Sequence, residues 1–73
     1  MSAYIKGNKV SNATNYELYE KIGINYNFLK SSSEINFNLS ELGFDKGKHI
    51  LVVKAKAKGY EDSNFSNEIE YII

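Results

Sequence analysis

The chain has 73 residues, contains no cysteine, and balances nine lysines against nine acidic residues, so its formal net charge is zero. Without cysteine it can form neither a disulfide nor a cysteine-ligated metal site. Without a basic surplus or any arginine, it lacks the charge pattern of a nucleic-acid binder. It also has no apolar run near the ~18 residues of a membrane-spanning helix, and no apolar signal-peptide segment follows Met1. We expect one small domain over residues 1–73, with no cofactor, no nucleic-acid partner and no membrane contact.

Short segments of alternating side chains run through the first half of the chain. Alternation with period two indicates strands, because successive side chains of a strand point to opposite faces. Tyr19 falls on the outward side of its segment. The predicted strands are Ala3–Lys6, Tyr16–Ile22, Ile24–Leu29 and Glu34–Leu39. The residues expected to face the core are Tyr16, Leu18, Ile35, Phe37 and Leu39.

The second half reads as a long hairpin. Its even-numbered positions include Lys54 and Lys56, which are costly to bury, so the odd-numbered positions should face the core. Antiparallel pairing would set these lysines against Glu68 and Glu70 on the solvent face, each pair worth ~0.2–1 kcal/mol. The predicted segments are the strand His49–Ala57, the turn Gly59–Asn64 and the return strand Phe65–Ile73. The odd-numbered residues expected to face the core include Leu51, Val53, Ala55, Phe65, Ile69 and Tyr71.

Six short β segments separated by polar turns, with no good helical period, predict an all-β fold. The expected architecture is a small antiparallel β-sandwich. A domain of this length buries only ~60% of the surface of its unfolded chain, so its stability should be marginal.

Three blocks of the sequence resemble a known family. The segment VKAKAKGYEDSNFSNEIEY, residues 53–71, is similar to the end of the fibronectin type III-like, or immunoglobulin-like, repeats of bacterial surface and phage tail proteins. Val10–Glu20 and Phe37–Leu42 resemble two upstream blocks of those repeats, in the same order. The matching residues of the last block are Val53, Lys54, Ala55, Gly59, Tyr60, Asp62, Ser63, Ser66, Asn67, Ile69 and Tyr71.

Two departures from the family pattern bear on the fold. The chain has no tryptophan, which the repeats usually carry before the block that begins at Val10. His49 stands where the repeats usually have a tyrosine. Few residues precede Val10, so the sandwich is expected to be trimmed at its N-terminal strand.

The resemblance implies a function as well as a fold. It implies a non-catalytic module that acts as a spacer or protein-contact unit in a cell-surface or phage virion assembly. The corresponding location is extracellular, on the cell surface or in a virion, and cytoplasmic if the protein stands alone. One alternative is a carbohydrate-binding accessory module. Another is a small phage or mobile-element protein that binds and inhibits a host factor.

The main candidate contact residues are apolar side chains on the outward face. Strand parity directs Ile50, Val52 and Ile72 away from the core, and Tyr19 joins them from a neighbouring strand. Scattered surface hydrophobic residues are ordinary, but contiguous apolar patches tend to mark contacts. We expect this patch to meet a protein partner or a neighbouring module, or to support weak self-association.

A second set of candidates lies in the turn of the long hairpin. Tyr60, Glu61 and Asp62 form the candidate loop contact. For the carbohydrate alternative, the side chains that could stack on a sugar are Tyr19, Tyr26 and Tyr60.

His49 is the only histidine of the chain. No nucleophile or orienting acid accompanies it in a recognisable pattern, so it is not expected to be catalytic, and the protein is not expected to be an enzyme. A single histidine without cysteine also makes a poor zinc site. We expect His49 to be a packing residue that hydrogen-bonds a loop carbonyl.

Overall fold

The computed structural model describes residues 3–59, 63 and 65–73 of the chain. Its regular structure is β-strand apart from one short 3₁₀ turn, so the all-β prediction is confirmed. Within these residues no helix has the length and apolar character needed to cross a membrane. The strands are β1 (Tyr4–Lys6), β2 (Asn15–Ile22), β3 (Asn25–Ser32), β4 (Asn36–Asn38), β5 (Lys48–Lys56) and β6 (Ile69–Ile72).

The strands form two antiparallel sheets. The larger sheet has the order β3-β2-β5-β6, and the smaller sheet pairs β1 with β4. A two-residue loop, Gly23 and Ile24, joins β2 to β3, and Gly23 has a φ of 62°. Glycine takes this left-handed backbone angle without a steric penalty, which allows the tight hairpin.

Buried side chains from both sheets meet in one core. Phe37 of the smaller sheet is fully buried, and it belongs to the same cluster as Val53 of the larger sheet. The hydroxyl oxygen of Tyr16 accepts a hydrogen bond from the Val10 N–H at 2.7 Å, which satisfies this polar atom of a buried ring. The core residues are Ile5, Ala13, Tyr16, Leu18, Phe37, Leu39, Leu51 and Val53, which confirms the inward parity predicted for β2, β4 and β5.

The predicted strand Glu34–Leu39 is wrong at both ends. Strand β4 covers only three of its residues, and a 3₁₀ turn follows over Leu39–Leu42. The side-chain oxygen of Asn38 accepts a hydrogen bond from the Ser40 N–H at 3.1 Å, and Gly43 ends the turn with a φ of 67°. A local side-chain hydrogen bond of this kind competes with continued strand pairing.

The predicted return strand from Phe65 is also wrong, because β6 pairs only with Lys48–Leu51 of β5. Beyond Leu51, two serines hydrogen-bond the backbone of β5 in place of a paired strand. The Val53 N–H donates to the Ser66 hydroxyl at 2.9 Å, and the Ser66 N–H donates back to the Val53 carbonyl at 2.8 Å. Ser63 makes the same pair of contacts with Ala55, at 2.8 and 3.0 Å.

This arrangement satisfies the backbone of β5 without a regular ladder. Phe65, which lies between the two serines, is therefore not bound to strand alternation, and its side chain is not confined to the face that parity assigns.

Candidate functional site

The face of the four-stranded sheet that is turned away from the core, here called the outer face, carries an aromatic cluster of Tyr19, Tyr26, Phe28 and Phe65. Tyr26 and Phe65 are stacked, with ring centroids 4.1 Å apart and an interplanar angle of 12°. Tyr19 meets Phe28 and Phe65 edge-on, with centroids at 5.7 and 5.3 Å. Offset stacks and edge-to-face contacts are the favourable geometries for aromatic pairs.

Strand register brings three of these rings together. Phe28 of β3 lies opposite Tyr19 of β2, and Tyr26 lies opposite Lys21. A bulge follows at once, because Lys30 pairs with Leu18 and leaves Leu29 as the extra residue. Leu29 packs against the core, while Tyr26 and Phe28 remain on the outer face.

Phe65 reaches the cluster from the irregular segment before β6. The sequence pattern placed it on the core face, and this prediction is wrong: its ring contacts Tyr19 and Tyr26 on the opposite face. The ammonium group of Lys54 lies 4.4 Å from the Phe65 centroid and 5.7 Å from that of Tyr19. A cation over an aromatic face is attracted by the negative potential of the ring.

Val52 overturns part of the predicted aliphatic patch. It lies opposite Tyr19 across the β2–β5 ladder, on the outer face, yet its exposed fraction is only 1%. We attribute this burial to the aromatic cluster, because Val52 lies opposite Tyr19 and does not belong to the core cluster between the sheets. The prediction of a solvent-exposed Val52 is therefore wrong, and its side chain offers no surface to a partner.

The other two aliphatic residues of the predicted patch differ from each other. Ile50 is half-buried, whereas Ile72 is 64% exposed, in agreement with its predicted exposure. Ile50 lies opposite Lys21 on one side and Glu70 on the other. The continuous aliphatic patch is thus replaced by an aromatic cluster on one side of the outer face and the isolated Ile72 on the other.

Ion pairs also lie on the outer face, but with different partners from those predicted. Lys21 contacts Glu68 at 2.7 Å, and Lys48 contacts Glu70 at 3.1 Å. The hydrogen bond from Lys21 to Glu68, with the attraction between their charges, raises the pKa of Lys21. The predicted pairing of Lys54 and Lys56 with these acids is wrong, because β6 pairs with β5 only as far as Leu51. Lys56 instead lies 3.9 Å from Glu17.

His49, near the start of β5, lies within hydrogen-bond distance of two acceptors. Its Nδ1 lies 2.6 Å from Oε2 of Glu20, and its Nε2 lies 2.7 Å from the carbonyl oxygen of Asp45. Neither acceptor can donate, so an imidazolium that donates from both nitrogens satisfies both contacts. The hydrogen bond to Glu20, and secondarily that to the Asp45 carbonyl, raises the pKa of His49. The predicted hydrogen bond to a loop carbonyl is present.

This geometry makes His49 a poor general base. With both nitrogens engaged, neither is free to take a proton from a substrate. The His49 ring also lies against Phe44, with centroids 4.6 Å apart, which ties β5 to the preceding loop. Among the residues that the structure describes, no group of three or more His, Cys, Asp or Glu side chains could hold a metal ion.

The candidate loop contact, Tyr60, Glu61 and Asp62, lies outside the described residues. Of the three tyrosines considered for sugar stacking, Tyr19 and Tyr26 share the outer face. Sequence reasoning missed Phe28 and Phe65 as members of the site. The alternation of Tyr26 and Phe28 was a usable signal for the first, since both must share a face. No local signal existed for Phe65, whose position depends on the serine contacts around it.

Comparisons with protein-family models, with curated proteins and with solved structures found no match for this chain. The similarity to fibronectin type III-like repeats accordingly stays a prediction, and the functional argument depends on the geometry of the outer face.

Proposed function

We propose that the protein is a non-catalytic, fibronectin type III-like β-sandwich module that contacts another protein through the aromatic cluster of its outer face. The observation that carries the proposal is the exposure of Phe28 and Tyr26, at 52% and 42%, within a cluster of four rings. By the resemblance of its sequence, the module would serve in a cell-surface or phage virion assembly, as a contact unit or spacer.

The layout of the outer face supports a protein contact. Aromatic residues are enriched at the centres of protein interfaces, and polar or charged residues form the rim. Here Lys54, Lys21 and Glu68 surround or adjoin the rings. The exposed rings therefore offer apolar surface inside a charged border, which is the arrangement that an interface uses.

The geometry of the rings favours a protein over a sugar. A sugar-binding platform presents aromatic faces side by side in a common plane. Tyr19 instead stands at 75° to Phe28 and at 82° to Phe65, and Phe65 covers one face of Tyr26. Carbohydrate binding is kept as an outcome of the test below.

The sheet arrangement supports the fibronectin-like part of the proposal. A seven-strand sandwich that loses its first strand keeps six, and the described strands number two in one sheet and four in the other. The engagement of both nitrogens of His49 supports the non-catalytic part.

A site-specific photo-cross-linker tests the proposal. Phe28 is replaced by a photoreactive phenylalanine in one variant, and Tyr4, a 50% exposed ring on the smaller sheet, is replaced in a matched control. Irradiation in cells that express the protein should give a protein adduct from position 28 and none from position 4. Equal yields from both positions would refute the proposal. Binding on a glycan array that Phe28→Ser abolishes would instead favour the sugar.

A further inference from the structure

Within the part of the chain that the structure describes, no strand lies beside the outer edge of β3. Among the described residues the sheet order is β3-β2-β5-β6, which leaves β3 at one end. Most of its eight residues are exposed. A bare edge presents a row of unpaired N–H and C=O groups, and proteins usually protect such edges with charges, prolines, bulges or short strands.

Protection of this edge is confined to its second half. There, the bulge at Leu29 breaks the ladder, and Lys30 supplies the only charge of the strand. The first half, Asn25–Phe28, contains no charge and no proline. The unprotected segment also carries the two exposed rings of the aromatic cluster.

The tight hairpin fixes which backbone groups point to the free edge. A two-residue loop closes on Ile22 and Asn25 as a hydrogen-bonded pair, and such pairs alternate along an antiparallel ladder. Asn25 and Asn27 therefore direct their backbone groups towards β2. Tyr26 and Phe28 direct theirs outward, so two donors and two acceptors face the open side.

We propose that this edge pairs with the same edge of a second copy of the chain, antiparallel, about a two-fold axis at Asn27. In this register Tyr26 of each copy lies opposite Phe28 of the other and exchanges both backbone hydrogen bonds with it. The two sheets become one continuous sheet, and the two aromatic clusters adjoin on a single face. The inference depends on the proposed function, because it names the partner of the aromatic cluster.

Three properties make a second copy the fitting partner. The two-fold axis matches the outward donors of Tyr26 and Phe28 in one copy with the outward acceptors of Phe28 and Tyr26 in the other, as a self-complementary interface requires. It places Tyr26 of each copy opposite Phe28 of the other, and aromatic pairs are a favourable cross-strand combination. The formal net charge of zero means that two copies do not repel each other at long range.

A cysteine at the axis gives a direct test, because the chain has no cysteine of its own. In the proposed register the two Asn27 residues form a non-hydrogen-bonded pair, with Cα atoms about 4.5 Å apart. That separation lies within the range that a disulfide spans. Asn27→Cys is compared with Asn36→Cys, an exposed asparagine on β4 of the other sheet, and with Asn25→Cys, which would face Leu29 of the second copy.

Each variant is reduced, transferred to air-saturated buffer at micromolar concentration, and followed by non-reducing electrophoresis. The disulfide dimer of Asn27→Cys should form at least about tenfold faster than that of either other variant, because pairing raises the local thiol concentration. Equal rates for Asn27→Cys and Asn36→Cys would overturn the pairing. A faster reaction of Asn25→Cys would overturn the axis at Asn27.

The same data separate this inference from the proposed function. If position 28 cross-links to a different protein while Asn27→Cys forms its disulfide dimer no faster than the other variants, the proposed contact role is supported and the self-pairing is refuted. If position 28 gives no adduct and Asn27→Cys forms its disulfide dimer no faster than the other variants, both the contact role and the self-pairing are refuted.

Discussion

Replacing Phe65 by alanine tests whether the outer face holds a second apolar layer. The ring of Phe65 touches two tyrosines and the ammonium group of Lys54, and it belongs to the cluster around the buried Val52. Removing the ring deletes these contacts together, and we expect it to expose part of Val52, whose burial we attribute to the aromatic cluster. The change leaves β5 and its serine contacts in place.

The expected loss of stability in Phe65→Ala can be worked out from these contacts. Each aromatic pair contributes ~0.5–1.5 kcal/mol beyond burial, and the cation–π contact of the half-buried Lys54 at least ~0.5–1 kcal/mol. Re-exposure of part of Val52 adds a fraction of the ~1.5–3 kcal/mol that full burial of a valine is worth. We expect Phe65→Ala to lower the free energy of unfolding by about 2–4 kcal/mol, less than or comparable to a fully buried Phe→Ala change. In a domain of this size that corresponds to a fall in Tm of roughly 10–25 °C.

Phe28→Ala is the matched control, because Phe28 is 52% exposed and has Tyr19 as its ring partner. It should cost about 0.5–1.5 kcal/mol, less than Phe65→Ala, because it loses one of these aromatic pairs and Phe65→Ala loses two. Urea denaturation followed by far-UV circular dichroism measures both variants, and the methyl proton shifts of Val52 report the rings directly. If Phe65→Ala and Phe28→Ala have the same midpoint as the parent protein, Phe65 does not cover the outer face and the aromatic cluster as described is wrong.

Further predictions concern the core, the histidine and the edge of β5. Phe37→Ala should cost ~3–5 kcal/mol in chemical denaturation, because Phe37 is fully buried in the core. Contacts with Glu20 and a loop carbonyl raise the pKa of His49, so the stability that they contribute is fully present below about pH 6.5 and is lost as the pH rises through the raised pKa. The urea midpoint should fall over that pH range. His49→Gln should remove this pH dependence of the midpoint. Ser66→Ala leaves the Val53 N–H without its hydroxyl acceptor and should cost about 1–3 kcal/mol, with faster hydrogen exchange at Val53. Unchanged exchange at that amide would mean that the serine does not replace a strand.

Strand parity predicted the core because the relevant information is local. Alternation in β5 assigned Leu51 and Val53 to the core through the high cost of burying the lysines that follow, and the pairing with β2 then placed Leu18 opposite Val53. These assignments need only the period of a strand and the penalty for burying a charge. They remain valid even though the ends of several strands were misplaced.

The outer face depended on information that alternation does not contain. Phe65 follows strand parity only if the segment that contains it is a strand, and the hydroxyls of Ser63 and Ser66 complete the edge of β5 in its place. The same sequence pattern, polar residues followed by alternating side chains, is compatible with a return strand and with an irregular segment held by serine hydroxyls. With Phe65 assigned to the core, the pattern offered no reason to expect an aromatic cluster near Val52, and this valine was expected to be exposed.

The burial of Val52 changes how the outer face should be tested for binding. A domain of 73 residues has little core, and here one sheet buries apolar side chains on both of its faces. The rings of the outer face therefore stabilise the fold as well as offering surface, and loss of binding after removal of Phe65 would follow from either role. Phe28 separates the two roles, because half of its side chain faces solvent and it has one ring partner among the described residues. A contact that disappears in a Phe28 variant of unchanged stability belongs to the surface of the cluster and not to its packing.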